Sequence, residues 1–226
     1  SQFVMSARKY RPIKFKDVIG QEVITNGLES AISNGKLAQA LLFTGPRGVG
    51  KTSCARIVAR EINKFKIDDD FSYNIFELDA ASNNGVDDIR NLIEQTRIPP
   101  QKGNFKVYII DEVHMLSAGA FNAFLKTLEE PPKHCIFILA TTEKHKIIPT
   151  IISRCQIYNF KRISNNDIIK NLENICSLEK ISHDKESLQI IAIKSDGSMR
   201  DALQLFDKVL GAVSYTHLRA HETERN

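Results

Sequence analysis

The sequence predicts an α/β fold: a parallel sheet of five strands flanked by helices, followed by a small three-helix domain. Two observations predict it. Short apolar runs alternate with helical segments of about ten or more residues as far as residue 160. Beyond that point only amphipathic helical periodicity is found. With 226 residues, the chain is long enough for one full core and a second small domain.

Five segments have the composition of strands. ALLFT ends in a glycine-rich turn, and the apolar runs of FKVYIID and CIFILATT predict strands buried on both faces. The predicted strands are residues 40–44, 73–79, 105–111, 135–142 and 156–160. The helices predicted between them are residues 53–65, 85–97 and 118–130, of which the last two are stopped by Pro-Pro pairs.

A domain boundary is predicted near residue 161, where the strand signal stops. Three helices follow, each with Asn, Asp or Ser near its start. They are predicted at residues 164–180, 184–195 and 198–211. We therefore expect an α/β domain over 1–160 and a helical lid domain over 161–213, and we interpret 64–72 as a polar connector.

Composition and charge limit the classes of function. No run approaches the eighteen apolar residues of a membrane span, and the N-terminus has no apolar signal core. The net charge of +4 permits a nucleic-acid partner without indicating one. The four cysteines form no CxxC pair, so we expect reduced thiols in a cytoplasmic protein and no zinc site.

The first chemical motif is GPRGVGKT, at 45–52, which matches GxxxxGK[ST] between a predicted strand and a predicted helix. Its glycines let the backbone N–H groups face a triphosphate, and the helix N-terminus adds positive potential. Lys51 would reach the β- and γ-phosphates, and the Thr52 hydroxyl would coordinate Mg²⁺. The residues predicted to hold the phosphates are Gly45, Pro46, Arg47, Gly48, Val49, Gly50, Lys51, Thr52 and Ser53.

The second motif is VYIIDEVH, whose apolar strand delivers Asp111 and Glu112 to the sheet edge where ligands of α/β folds bind. Asp111 is the predicted second Mg²⁺ ligand, and Glu112 would orient and polarise an attacking water. His114 completes a DExH-like box, and we interpret it as a loop residue with no chemical role.

Two further groups are candidates for contact with the γ-phosphate. FILATTE ends a strand predicted to lie beside the Asp111 strand, so that Thr141 or, as the preferred candidate, Thr142 would act as a sensor of the phosphate or water. Arg200, in GSMRDAL, begins the last helix of the small domain. Another arginine, Arg154 of TIISRC, stands at the edge of an apolar segment, where an arginine by itself needs no functional explanation.

Taken together, the motifs resemble a known family. ARKYRPIKFKDVIGQE, GPRGVGKTSCARIVA, LDAASNNGVDDIR, VYIIDEVHMLSAGAFNAFLKTLEEPP, FILATTEKHKIIPTIISRCQIYNF and GSMRDAL closely resemble the γ/τ subunits of bacterial DNA polymerase III, over about residues 6–211. Those subunits are the AAA+ P-loop NTPase motors of the sliding-clamp loader. The ISRC and LKTLEEPP elements are specific to clamp loaders among AAA+ proteins.

The resemblance implies a Mg²⁺-dependent ATPase of the polymerase holoenzyme without a polymerase site of its own. Arg154 would be an arginine finger, presented to the ATP of a neighbouring subunit. The implied partners are other loader subunits, the sliding clamp and primer–template DNA, recognised without sequence specificity; the AASNNG turn would face DNA phosphates. The residues implied to wall the adenine side of the pocket are Tyr10, Arg11, Pro12, Val18 and Ile19.

Three features depart from the family pattern. The connector 64–72 replaces a four-cysteine zinc module, which again predicts no zinc. The C-terminal collar domain of the family is not found after the lid. SYTHLRAHETERN, at 214–226, resembles nothing in the family, breaks the apolar period of the last helix and is interpreted as a non-native tail.

Three alternative functions stay open. A DExH-type helicase would need a second RecA-like domain with its own motifs, and the residues after 161 supply none. A non-hydrolysing structural loader subunit, which only donates an arginine finger, would be expected to have a damaged phosphate loop or acidic motif, and both are intact here. A generic AAA+ remodelling protein is the weakest alternative, because it would lack the SRC element.

Overall fold

The structure, a computed structural model, describes residues 9–223, and the side chains of residues 9–212. The chain divides into two compact units. The sheet unit consists of Pro12–Pro46 and Gly50–Lys161. The helical unit consists of the described residues from Arg162 onward together with Arg47–Val49 and the described residues before Pro12. Within the described residues, no helix combines the length and apolarity that crossing a membrane requires.

The sheet unit is built on five parallel strands in the order β2-β3-β4-β1-β5, which confirms the predicted fold class. The strands are β1 (Ala40–Thr44), β2 (Ile75–Asp79), β3 (Lys106–Asp111), β4 (Cys135–Thr141) and β5 (Gln156–Asn159). Their carboxyl ends align at one edge, where Thr44 pairs with Thr141 and Asp79 pairs with Asp111. This edge is therefore where polar groups that follow the strands come together.

Helices cover the apolar side chains of the sheet. They are α1 (Glu22–Ser33), α2 (Lys51–Ile62), α3 (Val86–Thr96), α4 (Ala118–Glu129) and the single turn α5 (Pro149–Ile152). The α1 and α2 helices pack together, and α2 also contacts β3 and β4. The α3 and α4 helices pack together over a core in which the rings of Phe124 and Phe137 meet edge to face at 5.4 Å.

Two helices of the sheet unit were not predicted from the sequence. In α1 only a narrow face is buried, at Ile24, Thr25 and Leu28, while Val23 is exposed. The segment also contains Gly27 and β-branched residues, which lower its helix propensity. The α5 helix is a single turn that begins with Pro149, and it is too short to show a period.

The helical unit contains α6 (Asn165–Glu179), α7 (Lys185–Ser195) and α8 (Met199–Thr223), which pack on one another. Each start is capped as predicted: Ser164 Oγ, Asp184 Oδ1 and Ser198 Oγ accept backbone N–H groups of the first turns, at 3.1, 2.7 and 3.2 Å. The buried apolar residues between the helices are Ile168, Leu172, Ile175, Leu188, Ile191, Leu203 and Phe206.

The predicted end of the last helix is wrong. The helical spacing of apolar residues in the sequence indicates that the helix ends at residue 211, whereas α8 continues to Thr223. Residues 212–223 contain neither a proline nor a glycine that would stop a helix, so the polar tail continues the helical backbone. The last three residues of the predicted tail, 224–226, lie outside the described residues.

Candidate functional site

The phosphate loop follows β1 and leads into α2. Gly45 and Gly50 have φ of 143° and 112°, values that a side chain would strain. A Cβ on Gly45 would lie 2.6 Å from the carbonyl oxygen of Phe160, so the loop also passes too close to the end of β5 for any other residue. Gly50, the N-cap of α2, offers no side chain to the first-turn N–H groups, which suits them to an anion.

Lys51 is the first residue of α2, and it is 7% exposed. Its Nζ donates to the carbonyl oxygens of Gly45 and Pro46, so the ammonium lies within the loop that the sequence predicts to hold phosphates. Thr52 and Ser53 follow on the same turn and are half-buried. The loop thus presents an ammonium, two hydroxyls and a helix N-terminus, which together fit a polyphosphate.

Two aspartates, Asp111 and Asp79, lie at the same edge of the sheet. Asp111 ends β3 and is in register with Asp79, which ends β2. Burial raises the pKa of the Asp111 carboxyl above its usual range, and the charges of Glu112 and Asp79 raise it further. The Glu112 N–H, at 2.9 Å from Asp111 Oδ1, and the Lys51 ammonium act in the opposite direction. Negative charge is therefore concentrated beside the phosphate loop.

This donor set fits Mg²⁺. Carboxylate and hydroxyl oxygens are the ligands that Mg²⁺ prefers, and Asp111 and Thr52 supply them. In the part of the chain that the structure describes, no three His, Cys, Asp or Glu side chains converge closely enough to hold a metal by themselves. In the usual Mg²⁺ site, one or two protein oxygens act together with substrate phosphates and water.

Glu112 begins the turn after β3 in a left-handed backbone conformation, with φ of 51°. Such a conformation costs about 1–3 kcal/mol for a residue with a side chain, and it recurs at functional sites. Its carboxylate Oε2 accepts from Thr142 Oγ1 at 3.3 Å and lies 3.4 Å from His114 Nε2. The predicted sensor Thr142 therefore touches the predicted water-activating group.

His114, interpreted from the sequence as a loop residue with no chemical role, lies in the 3₁₀ turn Val113–Met115. Its side chain is 6% exposed, and its two ring nitrogens face Glu112 and Thr141. Sequence reasoning also missed Asp79, which pairs with Asp111 across the sheet. The sequence LDAAS has the composition of a loop. Only the parallel register of β2 and β3 brings its aspartate, Asp79, beside Asp111.

The residues predicted to wall the adenine pocket fall in both units. In the sheet unit Pro12 and Ile19 are half-buried, and Val18 is buried. Val18 also lies close to the phosphate loop, because a Cβ added to Gly50 would be 3.4 Å from Val18 Cγ1. Tyr10 and Arg11 belong to the helical unit. There the Tyr10 hydroxyl donates to Glu179 of α6, and burial together with Glu179 raises its pKa to about 12.

Arg47, Gly48 and Val49 belong by their contacts to the helical unit. The Met199 N–H donates to the Gly48 carbonyl oxygen at 2.9 Å. A Cβ on Gly48, whose φ is 72°, would lie 2.1 Å from Ser198 Oγ and 3.1 Å from the Arg200 Cβ. Arg200 itself is exposed at the start of α8. Only glycine fits at position 48 without a rearrangement.

Arg154 follows α5. Its Nη2 lies 2.7 Å from Glu129 Oε1 at the end of α4, and its Nη1 donates to the Thr150 carbonyl oxygen at 3.0 Å. Neither partner belongs to the phosphate loop or to the acidic pair Asp111–Glu112. The side chain is 33% exposed, so the guanidinium is ordered by its own subunit and still open to an outside group.

The turn predicted to face DNA phosphates carries acidic groups. The α3 helix begins with Asp87 and Asp88 in its first turn, and the side chain of Asp87 is 96% exposed. The Gly85 N–H already donates to Asp88 Oδ2 at 3.3 Å. Like charge at this helix start opposes binding of a DNA phosphate there.

Comparisons with known families agree over nearly the whole chain. Residues 20–164 match the family model described as "DNA polymerase III, delta subunit". Residues 167–213 match the model described as "DNA polymerase III clamp loader subunit, ATPase lid domain". Neither match includes residues 214–226, the segment interpreted from the sequence as a non-native tail.

Individual relatives have related names. The chain is 50% identical to the DNA polymerase III subunit tau of Bacillus subtilis and 43% identical to that of Escherichia coli, over 90% and 91% of this chain. It spans only 39% and 34% of those two relatives. The Thermotoga maritima RuvB Holliday junction branch migration motor shares the fold, with a TM-score of 0.73 at 23% identity over 92% of this chain and 67% of that one.

The γ/τ resemblance seen in the sequence is confirmed by these relatives. The first family match includes the phosphate loop, the acidic pair Asp111–Glu112 and the sheet edge where both lie. The second match includes most of the helices from α6 onward. The chain therefore belongs to the family whose model is described as "DNA polymerase III, delta subunit", and its last helices match the ATPase lid domain of a DNA polymerase III clamp-loader subunit.

Proposed function

We propose that the chain is the ATP-binding and ATP-hydrolysing motor part of a clamp-loader subunit, which acts with other subunits to load a sliding clamp onto primed DNA. The observation that carries the proposal is the meeting of Lys51, Asp111 and Glu112 at one edge of the parallel sheet. A loop that only makes a turn would not need a buried ammonium beside a carboxylate pair.

In this proposal ATP is bound through its phosphates. In the structure the Lys51 ammonium donates to two carbonyl oxygens of the loop, and with ATP bound it would donate to the β- and γ-phosphates instead. The N-terminus of α2 would face the negative charge of the same phosphates. Val18, packed near Gly50, supports an apolar wall for the base. The predicted contribution of Tyr10 and Arg11 to that wall, and the contact of Arg200 with the γ-phosphate, stay predictions from the sequence.

Thr52 and Asp111 would hold Mg²⁺, which when bound neutralises charge on the phosphates. The raised pKa of Asp111 supports this assignment, because an uncompensated carboxylate is costly where the structure places it. Asp79 adds to that charge from the neighbouring strand without being a predicted ligand.

Glu112 would act as the general base, orienting and polarising the water that attacks the γ-phosphate. Thr142, in contact with the Glu112 carboxylate, would bind the same water or the phosphate. Both groups emerge from neighbouring strands at the end of the sheet, so their spacing is set by backbone pairing and not by a mobile loop.

Arg154 would act on the ATP of a neighbouring subunit, and the other loader subunits, the clamp and primer–template DNA would be the partners. The contacts of Arg154 with Glu129 and Thr150 support a finger that is held ready at the surface. The mild net charge of +4 suits DNA contacts that read shape and not sequence. A cytoplasmic location would follow from a role in replication.

The experiment compares two substitutions in a reconstituted clamp-loader complex with clamp and primed DNA. Lys51→Ala is expected to abolish ATP binding at this subunit, whereas Glu112→Gln is expected to bind ATP normally and to hydrolyse it slowly. ATP binding is followed by fluorescent-nucleotide titration, and hydrolysis by single-turnover phosphate release. Lys36→Ala, at an exposed lysine, is the matched control and is expected to behave as the wild type.

Equal ATP affinity in the wild type and in Lys51→Ala would contradict the pocket. Normal hydrolysis in Glu112→Gln would show that Glu112 does not activate the attacking water, or that this subunit has only a structural role in the complex. Clamp loading measured in the same samples links the ATPase to the proposed biological role.

A further inference from the structure

We propose that His114 is a positioning residue for ATP hydrolysis: it links Glu112 to Thr141, and so holds the Glu112 carboxylate in the orientation that the attacking water requires. The proposal rests on the proposed function for the role of Glu112. The linking contacts themselves are properties of the sheet unit.

The backbone places His114 well for this role. It lies in the 3₁₀ turn Val113–Met115, which follows the left-handed Glu112 directly, and Val113 anchors the turn in the core with no exposed surface. The Met115 N–H closes the turn onto the Glu112 carbonyl oxygen at 2.9 Å. The side chains of Glu112 and His114 are 15% and 6% exposed, so both are largely removed from solvent.

Both ring nitrogens of His114 have polar neighbours. Nδ1 lies 2.8 Å from Thr141 Oγ1, and Nε2 lies 3.4 Å from Glu112 Oε2. Thr141 Oγ1 also accepts the Glu143 N–H at 2.9 Å, which leaves its hydroxyl proton for a second partner. We assign that proton to Nδ1, so that Nε2 carries the ring hydrogen, and Nε2 is the ring nitrogen that lies near the Glu112 carboxylate.

The resulting chain of polar contacts runs from the backbone of Glu143 through Thr141 and His114 to Glu112. Its far end is fixed, because Thr141 is the last residue of β4 and is fully buried. Two groups therefore lie at the same oxygen of the Glu112 carboxylate, Oε2: His114 Nε2 at 3.4 Å and Thr142 Oγ1 at 3.3 Å. Removal of His114 would leave only the Thr142 contact to restrain rotation about the glutamate side-chain bonds.

Three substitutions separate the two halves of the link. His114→Ala removes both contacts, His114→Asn keeps an amide near the Nδ1 position toward Thr141, and His114→Gln extends an amide toward the Nε2 position and Glu112. We expect His114→Ala to lower the single-turnover hydrolysis rate by about 10- to 100-fold, the loss that a misplacement of about 1 Å causes. ATP affinity and melting temperature should stay close to the wild type.

His114→Gln is expected to recover most of the rate, and His114→Asn much less, because only the former can reach Glu112. The matched control is His145→Ala, whose ring also lies near a glutamate carboxylate, at 3.2 Å from Glu143 Oε2, but is 74% exposed. It is expected to hydrolyse ATP at the wild-type rate. All variants are measured in the assembled loader complex with clamp and primed DNA.

A double substitution tests whether His114 acts through Glu112. If it does, His114→Ala adds almost no further loss in a Glu112→Gln background, because the group that it positions is already gone. Independent, multiplicative losses would overturn the proposal. So would equal rates in His114→Ala and the wild type, or a fall in ATP affinity and melting temperature that all three His114 substitutions share.

Failure of the proposed function would look different. If Lys51→Ala still binds ATP, or Glu112→Gln still hydrolyses it, the site itself is misassigned. If Lys51 and Glu112 behave as expected and His114→Ala does not, only the positioning role is wrong.

Discussion

The guanidinium of Arg154 and the carboxylate of Glu129 form an ion pair at 2.7 Å, between the residues that follow α5 and the end of α4. Their side chains are 33% and 51% exposed, and such pairs contribute about 0–1 kcal/mol to stability. Arg154 can therefore exchange Glu129 for a phosphate at little cost, which is what a residue that acts on a neighbour's nucleotide requires.

The first prediction concerns Arg154 in the chain without neighbours. Arg154→Ala should lower the free energy of unfolding by less than about 1 kcal/mol and leave ATP binding and the slow intrinsic ATPase unchanged. Urea denaturation and nucleotide titration measure these quantities. Arg90→Ala, which removes another exposed arginine with a carboxylate neighbour at 3.8 Å, is the control. A rate that falls by orders of magnitude would mean that Arg154 serves its own subunit's ATP.

The second prediction concerns the cost of the buried carboxylate. Asp111→Asn should abolish Mg²⁺-dependent hydrolysis and yet raise the melting temperature at neutral pH without metal, by about 2–4 °C if the gain is about 1 kcal/mol. A carboxyl whose folded-state pKa is raised destabilises the fold once it ionises. The stabilising effect of Asn should therefore be full above the raised pKa.

The pH dependence gives this prediction its sign. As pH falls through the raised pKa of Asp111 towards its ordinary value of 3.8, the wild type becomes protonated in the folded state and the difference in melting temperature should vanish. Melting curves of both proteins over this pH range are the measurement. A gain that is constant with pH would show that ionisation of Asp111 is not its cause.

The third prediction compares two glycines in left-handed conformations. Gly48 and Gly35 have φ of 72° and 65°, and a side chain at either position costs about 1–2 kcal/mol in backbone strain. A Cβ on Gly48 would also meet Ser198 Oγ at 2.1 Å, whereas nothing lies within 4 Å of a Cβ on Gly35. Gly48→Ala should therefore destabilise more than Gly35→Ala in urea denaturation. Equal losses would show that the contact with Ser198 relaxes freely.

The fourth prediction concerns metal content. Burial raises the pKa of Cys54 to about 12 and that of Cys155 to about 11, which disfavours the thiolate, the form that binds zinc. Elemental analysis of the purified protein should find no stoichiometric zinc, and Mg²⁺ only when nucleotide is present. About one zinc per chain would show that the connector 64–72 and its surroundings have been misinterpreted.

The strands and the phosphate loop were predictable because each is a local pattern. The predicted β1 has the bounds of the structure, and β3 differs by one residue. The surroundings of Asp79 and His114 were not predicted, since they depend on which groups lie beside these residues in space. Asp79 meets Asp111 through parallel register, and His114 meets Thr141 from another strand, and no spacing within one segment encodes either contact.

The most direct test of the central claim, that the ATP of this chain is hydrolysed with an arginine from its neighbour, mixes two variants in clamp-loader assemblies that hold more than one copy. Arg154→Ala copies bind ATP but offer no finger, and Lys51→Ala copies offer a finger but bind no ATP. We predict that single-turnover hydrolysis falls by about 10³-fold or more only at sites whose neighbour lacks Arg154, with ATP binding unchanged. Full hydrolysis at those sites, or a loss that follows the Arg154→Ala copy's own nucleotide, would contradict the account.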